Sequence, residues 1–137
     1  MKSNRPLVLV DTSIWIDYFK SPISSAGEAL STLIEQERVA LVGVVIAELL
    51  QGLRSEKEKK RLIKDFSVLN FISANREDWI STGLMLSNLK SRGITIPLTD
   101  AIIAQLCLRH GLLIFTNDKH FNNIPDLRKY SLKESVH

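Results

Sequence analysis

Three short apolar runs constrain this chain more than any other feature: Leu7-Val8-Leu9-Val10, Val39-Ala40-Leu41-Val42 and Leu112-Leu113-Ile114-Phe115. None alternates apolar with polar residues, so each suits a strand buried on both faces, as in parallel sheets lying under helices. Helical patterns lie between them. Asp11-Thr12-Ser13 has the character of a helix start and leads into Ile14 to Phe19, and Ser24-Ser25 opens a second helix through Leu30, Leu33 and Ile34. Val44 to Leu53 predicts a short helix with Gly52 near its end, Glu56 to Phe66 a charged amphipathic one, and Phe71-Ile72 a brief strand. Arg76 to Arg92 has helical spacing and stops at Gly93, and a last helix opens at Thr99 or Asp100 and stops at Gly111. Strands alternating with helices predict an α/β fold with a central, mainly parallel sheet.

The 137 residues suit one domain, and the chain shows no repeat, low-complexity tract or linker to divide it. With 45% hydrophobic and 24% charged residues it is too apolar for a disordered chain. The lone cysteine, Cys107, excludes a disulfide framework and Cys-based zinc motifs, and in its apolar helix it reads as a packing residue. The histidines, His110, His120 and His137, show no zinc spacing. Leu7 to Val10 is too short for a signal-peptide core, and no later run approaches the roughly 20 apolar residues that span a bilayer. The expectation is a soluble protein of a reducing, cytoplasmic compartment. A formal charge of +3 permits an anionic partner without implying one.

Four acids stand in informative places. Ligands of open α/β sheets bind at the carboxyl ends of the strands. Asp11 directly follows the first strand, Asp118 lies just beyond the last, and Asp100 sits at a helix start facing the same edge. Glu48 interrupts the apolar run Val44 to Leu50, on the face of Val44 and Val45, where a lone carboxylate is costly to bury. Each has a plainer reading: helix caps for Asp11 and Asp100, a turn residue for Asp118, a solvated face or a pairing with Arg54 for Glu48. Together they weigh more, because strand-end placement sends at least three to one edge. Carboxylates gathered there repel, and a divalent hard cation relieves the repulsion; oxygen ligands favour Mg²⁺ or Mn²⁺ over zinc. Such an ion supports phosphodiester hydrolysis without a dedicated base. Thr12, Ser13, Thr116 and Asn117 flank the acids, placed either to orient them or for ordinary capping.

Leu9-Val10-Asp11-Thr12-Ser13, Ala47-Glu48-Leu49-Leu50-Gln51-Gly52, Leu98-Thr99-Asp100-Ala101 and Thr116-Asn117-Asp118-Lys119-His120-Phe121, in that order, resemble the PIN-domain nucleases. Among these the chain is most similar to the VapC-type toxins of toxin–antitoxin pairs, from Leu7 to Phe121. The resemblance implies a three-layer α/β/α sandwich and an endoribonuclease dependent on Mg²⁺ or Mn²⁺. Asp11 and Asp100 would be direct metal ligands, Asp118 a ligand directly or through water, and Glu48 the completing acid. The implied chemistry is in-line attack by activated water, leaving a 3′-hydroxyl and a 5′-phosphate. The implied partners are RNA, a second copy in a homodimer, and a cognate antitoxin whose C-terminal segment fills the groove over the acids. Some relatives carry a further acid beyond the last aspartate where Lys119 and His120 stand here, which argues against a well-formed second metal site.

Positive charge is densest at Lys57, Lys59, Lys60, Arg61 and Lys64, but Glu56, Glu58 and Asp65 accompany it and a solvated helix face is the better reading. Lys119, His120, Arg109 and His110 lie nearer the acids in sequence and are the candidates for substrate phosphates. Trp15, Tyr18 and Phe19 read as core or interface before they read as base-stacking residues. Two other uses remain open for the same chain: a PIN-type nuclease of RNA processing with no toxin role, and a non-catalytic RNA-binding α/β module. A dehalogenase-type phosphatase needs a second Asp where Ser13 stands, a receiver domain needs a phosphoacceptor where Gly43 follows the middle strand, and no phosphate-binding glycine loop is present.

Overall fold

The computed structural model describes residues 5–132, so His137 and both ends of the chain lie outside the described residues. In chain order the elements are β1 (Val8–Val10), α1 (Thr12–Lys20), α2 (Ser25–Glu35), β2 (Val39–Val42), α3 (Gly43–Gln51), α4 (Glu56–Phe66), β3 (Asn70–Ile72), α5 (Arg76–Ser91), α6 (Leu98–His110) and β4 (Leu113–Phe115). A short 3-10 helix over Lys119–Asn123 follows. The four strands form one sheet in the order β3-β2-β1-β4, all parallel.

That order sets the layers. From β1 through β2 to β3 the chain moves one way across the sheet, then crosses back over it to place β4 beyond β1. Right-handed crossovers running in opposite directions put their helices on opposite faces. Accordingly α1 packs on α2 and α3, α5 packs on α6, and the sheet lies between them as the middle of three layers. The apolar runs are the core: every residue of β1, β2 and β4 is buried. Leu9, Ile14, Leu30, Leu41, Ile102 and Ile114 are among its largest fully buried side chains, each worth about 1.5–3 kcal/mol of burial.

Two local details explain helix boundaries. The last helix starts at Leu98, slightly before the Thr99 or Asp100 expected from sequence, with Pro97 as its N-cap in an extended conformation, φ −62° and ψ 147°. It ends where Gly111 takes φ 64°, a left-handed turn that glycine adopts without penalty. The 3-10 helix after β4 was not apparent in the sequence, nor was the cover on the outer edge of β4. There Ile114 N–H donates to the Arg128 carbonyl at 2.9 Å and Tyr130 N–H to the Ile114 carbonyl at 2.8 Å. An edge strand left open would offer unpaired backbone to other chains; Tyr130 also lies against Phe115, with ring centres 4.9 Å apart.

Candidate active site

Reversal of strand order falls between β1 and β4, and a sheet of this kind binds ligands at the carboxyl edge of such a reversal. Asp11 leaves β1 at that edge, and its N–H donates to the Phe115 carbonyl at the end of β4, 2.9 Å away. Thr116, Asn117 and Asp118 leave β4 beside it. In a parallel layer the helices run against the strands, so α6 begins at the same edge with Asp100 in its first turn.

Asp11 stands at the N-cap position of α1, yet its side chain caps nothing. Its Oδ2 instead accepts from Ser13 Oγ at 3.1 Å and from Thr116 Oγ1 at 2.8 Å. Thr116 Oγ1 in turn accepts the Asp118 N–H at 2.9 Å, which ties the two aspartates into one network. Asp118 Oδ1 accepts the His120 N–H at 2.9 Å, so this residue is at once the turn residue of the plainer reading and a member of the acidic group. His120 Nδ1 lies 2.8 Å from Asp100 Oδ2 and 2.9 Å from Asp118 Oδ1. Asp100, Asp118 and His120 each offer a ligand atom, all within 4.8 Å of one another.

Electrostatics of this pocket are unbalanced. Burial pushes the Asp100 carboxyl above its ordinary range, and the charges of Asp118 and Asp11 push the same way; the hydrogen bond from His120 offsets only part. His120 is raised in turn, first by that bond to Asp100. Asp11 and Asp100 are almost buried, and each keeps one carboxylate oxygen, Oδ1, with no hydrogen-bond donor among the described residues. Carboxylate oxygens left without protein donors fit a hard divalent cation. The donor set therefore suits the Mg²⁺ or Mn²⁺ that the resemblance implies.

Several expectations are corrected. Glu48 is exposed rather than set on an apolar face, because Val45 and Leu49 form the buried stripe of α3 and Glu48 lies at its margin. Among the described residues its one hydrogen bond is to Thr12, whose Oγ1 donates to Glu48 Oε1 at 2.8 Å. Asn117 meets the site by its backbone, donating to Ser13 Oγ at 3.1 Å, while its side-chain amide donates to Asp17 Oδ2 at 2.8 Å, an acid the sequence did not single out. Arg109 and His110 are near the acids in sequence only. They end α6, about 15 Å along the axis from Asp100, and Arg109 is held by Asp78. His120 faces the carboxylates, which leaves the exposed Lys119 as the candidate for phosphate among those four.

The basic helix α4 keeps its plainer reading, with Lys59 paired to Glu56 at 3.0 Å and Leu62 and Phe66 buried. Trp15 is core, stacked near Phe66 and Phe19. Cys107 is buried, and burial pushes its thiol far up, out of reach of thiolate chemistry. A groove of about 380 Å³ lined by Phe71, Trp79, Ile102 and Leu106 among others is apolar and holds none of the four acids. Among the described residues no helix is long and apolar enough to cross a membrane.

Residues 8–127 match the family model of the PIN domain. A VapC ribonuclease of Mycobacterium bovis is 28% identical over 124 residues, covering 86% of this chain and 91% of its own. Ribonuclease VapC1 of Haemophilus influenzae is 27% identical over 127 residues, covering 89% and 95%. Among solved structures, DNA-bound VapBC of Salmonella typhimurium superposes with a TM-score of 0.78 at 21% identity, covering 93% of this chain and 99% of the other. VapBC2 of Rickettsia felis, bound to a promoter DNA fragment, gives 0.76 at 22% identity, covering 90% and 97%. Both bear out the three-layer fold.

Proposed function

The chain belongs to the PIN-domain family, and from that membership we propose that it is a divalent-metal-dependent endoribonuclease, the toxin of a toxin–antitoxin pair, built as one nuclease domain. The observation that carries this reading is the meeting of Asp100 and Asp118 at one carboxyl edge, linked through Thr116 to Asp11. The toxin role rests on the similarity to VapC ribonucleases over most of both chains. It brings with it an RNA substrate, a cognate antitoxin covering the acidic edge, and a cytoplasmic site of action.

Asp11, Asp100 and Asp118 would hold Mg²⁺ or Mn²⁺, with Glu48 completing the acidic group. Such an ion, once bound, supplies a lowered pKa for water and charge neutralisation at a phosphoryl oxygen. The chain's own residues do the arranging. Ser13 and Thr116 fix the Asp11 carboxylate by two hydrogen bonds to one oxygen and leave the other without a donor among the described residues. Thr12 holds Glu48 at the rim by one hydrogen bond. Lys119, exposed at the mouth, would meet a phosphate of the RNA backbone.

The test is cleavage of mixed cellular RNA by the wild type and by Asp100→Asn, with Mg²⁺, Mn²⁺ or EDTA. Discrete cuts by wild type with metal alone, absent in the variant, are expected. A folded, antitoxin-free wild type that binds RNA yet cuts nothing with any metal overturns the nuclease reading in favour of a non-catalytic RNA-binding module. The toxin role has its own test: growth arrest on expression, relieved by a small partner protein. Cleavage without arrest would assign the chain to RNA processing instead.

A further inference from the structure

Among the described residues His120 is the only nitrogen-bearing side chain grouped with the acids, and its position carries more than a charge balance. Nδ1 lies 2.8 Å from Asp100 Oδ2 and 2.9 Å from Asp118 Oδ1. One ring nitrogen has at most one hydrogen, so it cannot serve both oxygens with a full-strength linear bond. Asp100 takes that hydrogen, and the two short approaches at one atom also match another arrangement. Around an octahedral ion at 2.0–2.1 Å, adjacent ligand atoms lie about 2.9 Å apart. The ring is also placed by backbone: Asp118 caps the 3-10 helix through the His120 N–H, and Phe121, next in the chain, is anchored in the core at 1% exposure. His120 therefore enters the pocket as part of a fixed turn, whereas a surface side chain would arrive as a loose arm.

We propose that His120 is itself a protein ligand of the divalent ion, binding through Nδ1 alongside Asp100 Oδ2 and Asp118 Oδ1. This rests on the metal-dependent reading above and sharpens it. A neutral ligand takes the place where a further acid would stand, so the site holds one ion with fewer negative charges around it. An imidazole nitrogen also tilts selectivity away from Mg²⁺ and toward Mn²⁺ and the later first-row ions.

Manganese itself is the probe. The full chain, free of any partner, is titrated with Mn²⁺ and followed by electron paramagnetic resonance, with pulsed measurement of nitrogen hyperfine coupling. Bound Mn²⁺ with a directly coordinated nitrogen is expected, and labelling histidine alone with nitrogen-15 should change that signal without altering any side chain. His120→Gln should lose the coupling and bind Mn²⁺ about tenfold more weakly, with Mg²⁺ affinity changed less than about threefold. Bound Mn²⁺ without nitrogen coupling in the wild type overturns the assignment and leaves His120 positioning the two carboxylates. No bound Mn²⁺ at all in the wild type would instead fail the metal-dependent reading on which the assignment stands.

Discussion

Asp78 and Asp100 occupy the same place in two different helices, the third residue of α5 and of α6, and both are nearly inaccessible, at 0% and 8% exposure. Their surroundings drive them apart. Asp78 closes a capping box with Asn75, accepting the Asn75 N–H at 2.9 Å, and meets the Arg109 guanidinium through Nε and, at 2.7 Å, Nη2. The hydrogen bond from Arg109 holds its carboxyl below the usual range against the opposing pull of burial. Asp100 has no such box to close, because the residue at its N-cap is Pro97, which has no N–H to offer. Its carboxylate turns into the pocket instead, and there burial raises it. One buried aspartate is matched by a permanent cation and structural, while the other meets only the His120 imidazole, which offsets part of the cost of burial. A buried charge only partly offset is costly to stability, and such sites are where binding and catalysis reside.

The contrast breaks most clearly at Asp100. Asp100→Asn should lower RNA cleavage by about 10³-fold while leaving the metal-free thermal midpoint unchanged or raised, since it removes a charge the fold disfavours. Mg²⁺ or Mn²⁺ should raise the wild-type midpoint by about 5 °C and the variant's hardly at all; a variant that unfolds early would mean the carboxylate is structural after all. Arg109→Leu is the mirror experiment. Stranding Asp78 should lower the midpoint by about 10 °C with cleavage per folded molecule unchanged, and Asp78→Asn added to it should recover much of the loss. Failure of the second change to help would show that the pair acts through packing.

Acid sharpens the difference further. The folded pKa of Asp78 lies below its unfolded value of 3.8, so its contribution is present above pH 3.8 and drains away as pH falls through the folded value. Asp100 has the opposite sign, and its protonation on acidification relieves a cost. Thermal melts from pH 5 to pH 3 should therefore fall more steeply for wild type than for the Asp78→Asn/Arg109→Leu double variant. The smallest effect is expected from Pro97→Ser, which restores an N–H and a capping hydroxyl to α6. Drawing Asp100 back toward the helix end should add about 2 °C and weaken metal binding about threefold. Calorimetric titration with Mn²⁺ measures the second number, and unchanged affinity would show that proline does not steer Asp100.

Much of this was legible beforehand. The apolar runs located β1, β2 and β4, Glu56 and Phe66 bounded α4 as expected, and Gly111 ended α6. Asp11, Asp100 and Asp118 were legible as site candidates because each is set by a strand end or helix start a few residues away. Glu48 was only partly so: its neighbours revealed an apolar helix, but whether it faced the core or the rim depended on which residues α3 pressed against the sheet. Arg109 misled because adjacency in sequence says little at opposite ends of a helix. His120 was noticed for its charge and missed as a partner of Asp100, which lies 20 positions earlier.

Local pattern by itself determined that this chain builds a buried parallel sheet with acids at its strand ends, because apolar periodicity and strand-end position act over a few residues. Tertiary structure alone decided the order β3-β2-β1-β4, and with it the adjacency of the β1 and β4 ends that brings Asp11 beside Asp118. It also decided that Arg109 answers Asp78 and that His120 closes on Asp100. Those pairings are contacts between groups far apart in the chain, settled by the way the helices pack across the sheet, and no local pattern carries that information.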